Sequence, residues 1–342
     1  MERTEIGELG EFGLIDHLTK NFEIHNASTI VSIGDDAAVI DHFGKQTVIT
    51  TDLLVEGIHF DLMYTPLKHL GYKAVMVNLS DVYAMNAMPT QLTMSIAISN
   101  RFGLEALDEF YEGVYIACEK HGVDLVGGDT SSSNKGFIIS VTAIGEVLPD
   151  KIVKRSTAQK GDLICVSGDL GGAFLGLTLM EREKKIYLEN PQVQPDLENE
   201  SYVVGRLLKP EARKDIIDFF EKNDILPTAM MDVSDGISSD VLHLCKQSNL
   251  GCVIYEEKIP VSDESRKAAY KFGLDPTVCA LNGGEDYELI FTLKQADHDK
   301  ITLNEEISVI GYMTDPEEGC KLYTKGNNRF DITAQGWNAF QK

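Results

Sequence analysis

The chain has 342 residues, 43% of them hydrophobic and 25% charged, with 54 acidic against 31 basic side chains and a formal net charge of −23. Such a length suggests two domains, and so acidic a surface disfavours nucleic acid and anionic membranes as partners. "MERTEIGELGEF" has no apolar signal region and no apolar run approaches membrane-spanning length, so a cytoplasmic protein is expected.

In chain order, "KQTVITTDLLV" is β-branched and predicts a strand. "PLKHLGYKAVMVNLSDVYAMNAM" opens with Pro66 and carries apolar residues at helical spacing. "TQLTMSIAI" alternates like a strand, and "LEALDEFYEGVYIACEKHG" predicts an amphipathic helix closed by Gly122. "VDLVGGD" and "GFIISVTAIGEV" are further strands. This β-α-β-α-β-β order suggests an α+β half. "VLPDKIVKRSTAQKGD" then turns polar and basic, which places a boundary between residues 148 and 149. Beyond it, "DLICVSG" leads through glycines into "DLGGAFLGLTLMEREKK", followed by "ISSDVLHLCKQSN", "GCVIYEE" and "YELIFTL" as helix, strand and strand. "NPQVQPDLENES" is the most loop-like stretch.

Carboxylates recur where apolar strands meet small residues. "SIGDDAAVI" carries Asp35 and Asp36, which suit either a turn or a cation site. "VITTDLLVEGIHF" carries Asp52 after Thr50 and Thr51, and "VNLSDVYAM" puts Asp81 on an apolar helix, where an aspartate needs a partner. "LVGGDTSSS", "MMDVSDGISSD" and "LNGGEDYELIF" add Asp129, Asp232, Asp235, Glu285 and Asp286. Asp235 and Asp240 could equally cap a helix. If the carboxylates converge, Mg²⁺ would resolve their repulsion and bring in substrate phosphates. Lys154 and Arg155 are the nearest bases for direct phosphate contact. There is no GxxxxGK[ST] loop, G-x-S-x-G or HExxH. The helix start at "GDLGG" could hold a phosphate, although close packing explains its glycines equally well. The six cysteines are scattered with no CxxC pair and read as small buried hydrophobes.

Six motifs in order, "IGDDAAVI", "TTDLLVEGIHF", "YKAVMVNLSDVYAM", "LVGGDT", "DVSDGISSDV" and "GGEDYELIF", with "GWNAF" near the C-terminus, closely resemble the thiamine-monophosphate kinase family. That family lies in the aminoimidazole ribonucleotide synthetase-like superfamily. The resemblance implies an α+β N-terminal domain (residues 1–148, binding ATP and metal and forming the dimer) and an α/β C-terminal domain (residues 149–342, completing the cleft and touching substrate). It implies ATP-dependent phosphorylation of thiamine monophosphate, the last step to thiamine diphosphate, by direct in-line transfer with several Mg²⁺ ions and in a homodimer. Position by position, Asp36, Thr50, Thr51, Asp52, Asp81, Asp129, Asp232 and Asp235 would bind Mg²⁺. Gly128, Asp129, Arg155 and Ser234 would contact ATP, and His59, Glu285 and Trp337 the substrate. Asp35 would support its neighbour, and Tyr111 is a further nucleotide candidate. Selenophosphate synthetase would need a reactive Cys near the N-terminus, whereas the first here is Cys118. A purine-biosynthetic synthetase would not need the "GGEDYEL" and "GWNAF" context. A non-catalytic cation- or nucleotide-binding protein is the alternative of a different class, without an EF-hand loop to support it.

Overall fold

Two short β-branched segments, β1 (Thr29–Val31) and β2 (Val39–Ile40), pair antiparallel at the start of the chain in this computed structural model, which describes residues 17–31 and 39–334. The chain divides into two compact units, Met1–Asp150 and Lys151–Lys342. Among the described residues no helix is long and apolar enough to cross a membrane.

In the first unit, β3 (Gln46–Val55), α1 (Leu67–Ala84), β4 (Met88–Ile98), α2 (Leu104–His121), β5 (Asp124–Ser132) and β6 (Ile138–Val147) follow the expected order. The sheet runs β3-β6-β4-β5, antiparallel except for β4 beside β5. Gly122, with φ of 68°, closes α2 in the left-handed conformation that the sequence predicts. From Leu70 to Ala84 every residue of α1 is buried except Asp81, the pattern of a helix packed on all sides. Its crossing with α2 is nearly backbone on backbone. A Cβ on Gly71 would lie 2.0 Å from the Phe110 carbonyl oxygen, and one on Gly113 1.9 Å from that of Lys68. Asp124 was not singled out in the sequence, yet it anchors the incoming segment. Its buried carboxylate accepts from the His25 and Asn26 amides at 2.5 and 3.2 Å and from Thr29 Oγ1 at 2.5 Å.

The second unit contains β7 (Leu163–Ser167), α3 (Gly172–Glu189), α4 (Ser201–Leu208), α5 (Lys214–Lys222), β8 (Ala229–Val233), α6 (Ile237–Ser248), β9 (Gly251–Tyr255), α7 (Asp263–Lys271), α8 (Pro276–Asn282), β10 (Glu288–Leu293), α9 (His298–Ile301), β11 (Ile307–Thr314), β12 (Cys320–Tyr323) and β13 (Arg329–Asp331). Its seven strands run β13-β12-β9-β11-β7-β10-β8, all antiparallel except β12 beside β9. Helix α6 packs Ile237, Val241 and Leu244 with Val233, Ile254 and Ile290 of the sheet. Helices α3, α4, α7 and α8 share a smaller core around Leu175, Leu179, Val203 and Ala268. Mixed helix and sheet in both units match the fold class that the sequence implies.

Candidate active site

Alternation along β3 orders the candidate residues of the first unit. Val48, Thr50, Asp52 and Leu54 turn inward, while Ile49, Thr51 and Leu53 face out. Thr50 Oγ1 donates to Asp81 Oδ2 at 2.6 Å, and the Asp52 amide donates to Asn78 Oδ1 at 3.0 Å. Strand and helix are thus stitched together beside two half-buried carboxylates. Burial first, and then the neighbouring Asp81 charge, push the Asp52 carboxyl up to about 6. The Thr51 side chain stands apart on the other face. Its hydroxyl donates to the Val141 carbonyl at 2.9 Å and accepts from Thr142 Oγ1 at 3.1 Å.

Gly128 and Asp129 lie exposed on the edge strand β5, where a Cβ at Gly128 would meet the Met94 carbonyl oxygen at 1.9 Å. His59 Nδ1 accepts from the Val55 amide at 3.1 Å. The neutral ring therefore carries its proton on Nε2 and offers a donor rather than a base. Asp35, Asp36 and Trp337 lie outside the described residues. Tyr111 is buried in α2, edge-on to Phe110 at 5.6 Å, and burial raises its hydroxyl to about 12. It is a core residue of the first unit, a correction to its reading as a nucleotide contact.

In the second unit, β8 delivers the buried Asp232 and then turns through Ser234, Asp235 and Gly236 into α6. Gly236 takes φ of 101°, which the turn requires of a glycine. The "GGED" segment is laced to this turn: the Glu285 amide donates to the Ser234 carbonyl at 2.8 Å, and that of Tyr287 to Val233 at 2.9 Å. Glu285 and Tyr287 are left-handed, at φ of 64° and 53°, a strain that recurs at functional sites. Arg155 is exposed, and its carbonyl accepts from Ser248 Oγ at 2.9 Å. No side chain caps α6, so neither Asp235 nor Asp240 plays the capping role.

Asp240 is 1% exposed, and neither carboxyl oxygen has a hydrogen-bond partner. Burial, followed by Asp232 and Asp235, pushes its carboxyl well above the ordinary range, while the Arg155 charge pulls it back. An orphaned carboxylate beside two others fits a cation. Among the described residues, these aspartates do not close into a tight cage. That suits Mg²⁺, which keeps waters and completes its shell with substrate phosphates.

Two acidic positions prove structural. The Asp286 carboxylate accepts from the Gly171 and Ala173 amides at 2.7 and 3.3 Å, occupying the start of α3. The phosphate reading of "GDLGG" is thereby corrected. Desolvation raises Asp286 to about 7, against the pull of Arg206 and the two amides. Glu288, which sequence reading missed, is 1% exposed and holds Arg206 Nη1 at 2.8 Å, Arg213 Nη1 at 2.5 Å and Ser167 Oγ at 2.6 Å. The "GGEDYEL" run thus mixes one candidate substrate residue with two that hold the unit together.

The AIR synthase related protein families match both units, the N-terminal domain over residues 34–147 and the C-terminal domain over residues 159–320. A thiamine-monophosphate kinase of Aquifex aeolicus is 37% identical over 97% of this chain and 99% of its own length. A solved thiamine-monophosphate kinase from Stenotrophomonas maltophilia superposes with a TM-score of 0.79 at 30% identity, covering 95% of this chain and 98% of that one. The structure of AaThiL complexed with AMPPCP and TMP gives a TM-score of 0.75 at 33% identity, covering 99% of this chain and 100% of that one. Identity at this level, sustained over both units, places the chain in the thiamine-monophosphate kinase family.

Proposed function

We propose that this chain transfers the γ-phosphoryl group of ATP to thiamine monophosphate, giving thiamine diphosphate and ADP. The relatives' activity and the AMPPCP and TMP complex of AaThiL support the substrates. The observation that carries the reading within this chain is the held pair Asp52 and Asp81, two half-buried carboxylates close enough for the charge of one to disfavour ionisation of the other. A phosphate oxygen of thiamine monophosphate attacks the γ-phosphorus in line. The bond from that phosphorus to the β,γ-bridging oxygen breaks, and ADP leaves with the electron pair. The attacking oxygen is already anionic, so no base is required.

Asp36, Thr50, Asp52, Asp81, Asp129, Asp232 and Asp235 would hold several Mg²⁺ ions, with Asp240 beside the last two, whereas the Thr51 side chain faces away from Asp52 and is left out of this set. When bound, the ions neutralise phosphate charge and align donor with acceptor. Thr50 orients the Asp81 carboxylate, and Asn78 fixes the strand that presents Asp52. Gly128, Asp129, Arg155 and Ser234 contact the nucleotide. His59 offers Nε2–H, Glu285 accepts from the aminopyrimidine, and Trp337 stacks on the cationic thiazolium. The first unit, taken to residue 148, binds nucleotide and metal, and the second, from residue 149, adds substrate contacts.

We further propose a cytoplasmic homodimer. Strand β3 is a sheet edge, and its outer face exposes Ile49 at 65% and Leu53 at 53%, an edge that a second copy would cover. Light scattering tests it; a fully active monomer contradicts it. For the activity, ADP release is measured with and without thiamine monophosphate, and turnover indifferent to that acceptor overturns the assignment.

A further inference from the structure

Cysteines that look scattered in the sequence converge in the second unit. Cys245 of α6, Cys252 of β9 and Cys320 of β12 place their sulfur atoms within 4.8 Å of one another. The first two are buried and Cys320 is half-buried. The register explains the meeting. Cys252 is directly paired with Cys320 on one side and with Met313 on the other. Directly paired residues share a face, so three sulfur side chains stand in a row across β12, β9 and β11. Helix α6 brings Cys245 to the same core. Among the described residues, no histidine or carboxylate joins the group.

We propose that Cys245, Cys252 and Cys320 form a three-sulfur site for a soft d¹⁰ cation, Cu⁺ in preference to Zn²⁺. Thiolate and thioether donors select such ions over hard ones. Metal–sulfur bonds of about 2.3 Å in a trigonal arrangement need sulfurs roughly 4 Å apart, so the present spacing has to close by less than about 1 Å. Zinc requires a fourth ligand, and the surroundings are apolar, with Ile254, Leu244 and Met313 in the same core. Cu⁺ accepts three sulfurs, and the Met313 thioether is itself a soft donor. The half-buried Cys320 gives the ion a way in. The site is separate from the aspartates, and its test does not depend on kinase activity.

The full chain, reduced and metal-free, is titrated anaerobically with Cu⁺ against a chromophoric chelator, and in parallel with Zn²⁺. The expected result is stoichiometric Cu⁺ with a sulfur-to-copper charge-transfer band, held more tightly than Zn²⁺. Cys320→Ser, at a half-buried position that tolerates serine, should weaken Cu⁺ by more than about a hundredfold, beyond the loss typical of an outer-shell partner. Cys118→Ser, in the other unit, should leave binding unchanged. Circular dichroism verifies the fold of each variant. Absence of stoichiometric Cu⁺ in the folded protein overturns the proposal. So does binding indifferent to Cys320→Ser, or a preference for Zn²⁺.

Discussion

Asp52→Asn should stabilise the metal-free protein while removing its response to Mg²⁺. The Asp52 carboxyl has an ordinary value of 3.8 and is raised to about 6 by burial and by Asp81. A folded-state value above the unfolded one means that the native state binds the proton more tightly. Stability from this group is complete below 3.8 and is lost as pH rises through about 6. At about 1.4 kcal/mol per pH unit, the full loss is roughly 3 kcal/mol. Partial solvent access reduces that to about 1–2 kcal/mol. Asparagine carries no such cost, and the Asp52 amide bond to Asn78 involves only backbone on its side. Thermal unfolding in chelator should therefore show the variant a few degrees above the parent at about pH 8, by roughly 2–4 °C per kcal/mol. The gap should close towards about pH 4. Added Mg²⁺ should raise the parent and not the variant. A variant less stable than the parent at the higher pH, or a gap independent of pH, would refute the electrostatic reasoning.

Asp81→Asn keeps a carbonyl acceptor for Thr50 and should fold normally, yet lose roughly 10²–10³ in kcat, measured by coupled ADP release; unchanged activity and Mg²⁺ dependence contradict its role. Glu288→Ala leaves Arg206 and Arg213 without their shared carboxylate and should destabilise the protein by about 3–5 kcal/mol in urea unfolding. Glu285→Gly relieves a left-handed side chain, so it should leave stability level or higher while raising KM for thiamine monophosphate; unchanged KM would remove Glu285 from the substrate contacts.

The local pattern of the chain carried its elements well. Apolar periodicity around Asp81 marked a buried helix, and Gly122 marked where the next one ends. The recurring strand, small residue, carboxylate pattern also marked Asp232 and Asp235, which lie at the turn from β8 into α6, whereas Asp52, expected near a strand end, lies within the β3 ladder. What sequence reading missed depends on contacts far apart in the chain. Asp286 looks like a further site carboxylate until the fold brings the start of α3 to it, and Glu288 draws no notice until Arg206 and Arg213 meet it. Asp124 reads as an ordinary strand residue until the Thr29 segment returns to it. The cysteines gave no spacing signal because one comes from a helix and two from strands paired in parallel. Tyr111 shows the reverse: the resemblance offered it as a nucleotide contact, and its helix turns it into the core.

The central claim is that carboxylate-bound cations join two phosphate-bearing substrates, and acceptor choice tests it most directly. ATP and Mg²⁺ are held fixed while thiamine monophosphate or free thiamine is supplied, and products are separated by chromatography. Thiamine monophosphate should yield thiamine diphosphate and ADP in equal amounts. Free thiamine offers a neutral hydroxyl, and His59 is arranged as a donor rather than a base, so its turnover should be at least about a hundredfold slower. Comparable turnover of free thiamine would contradict the account.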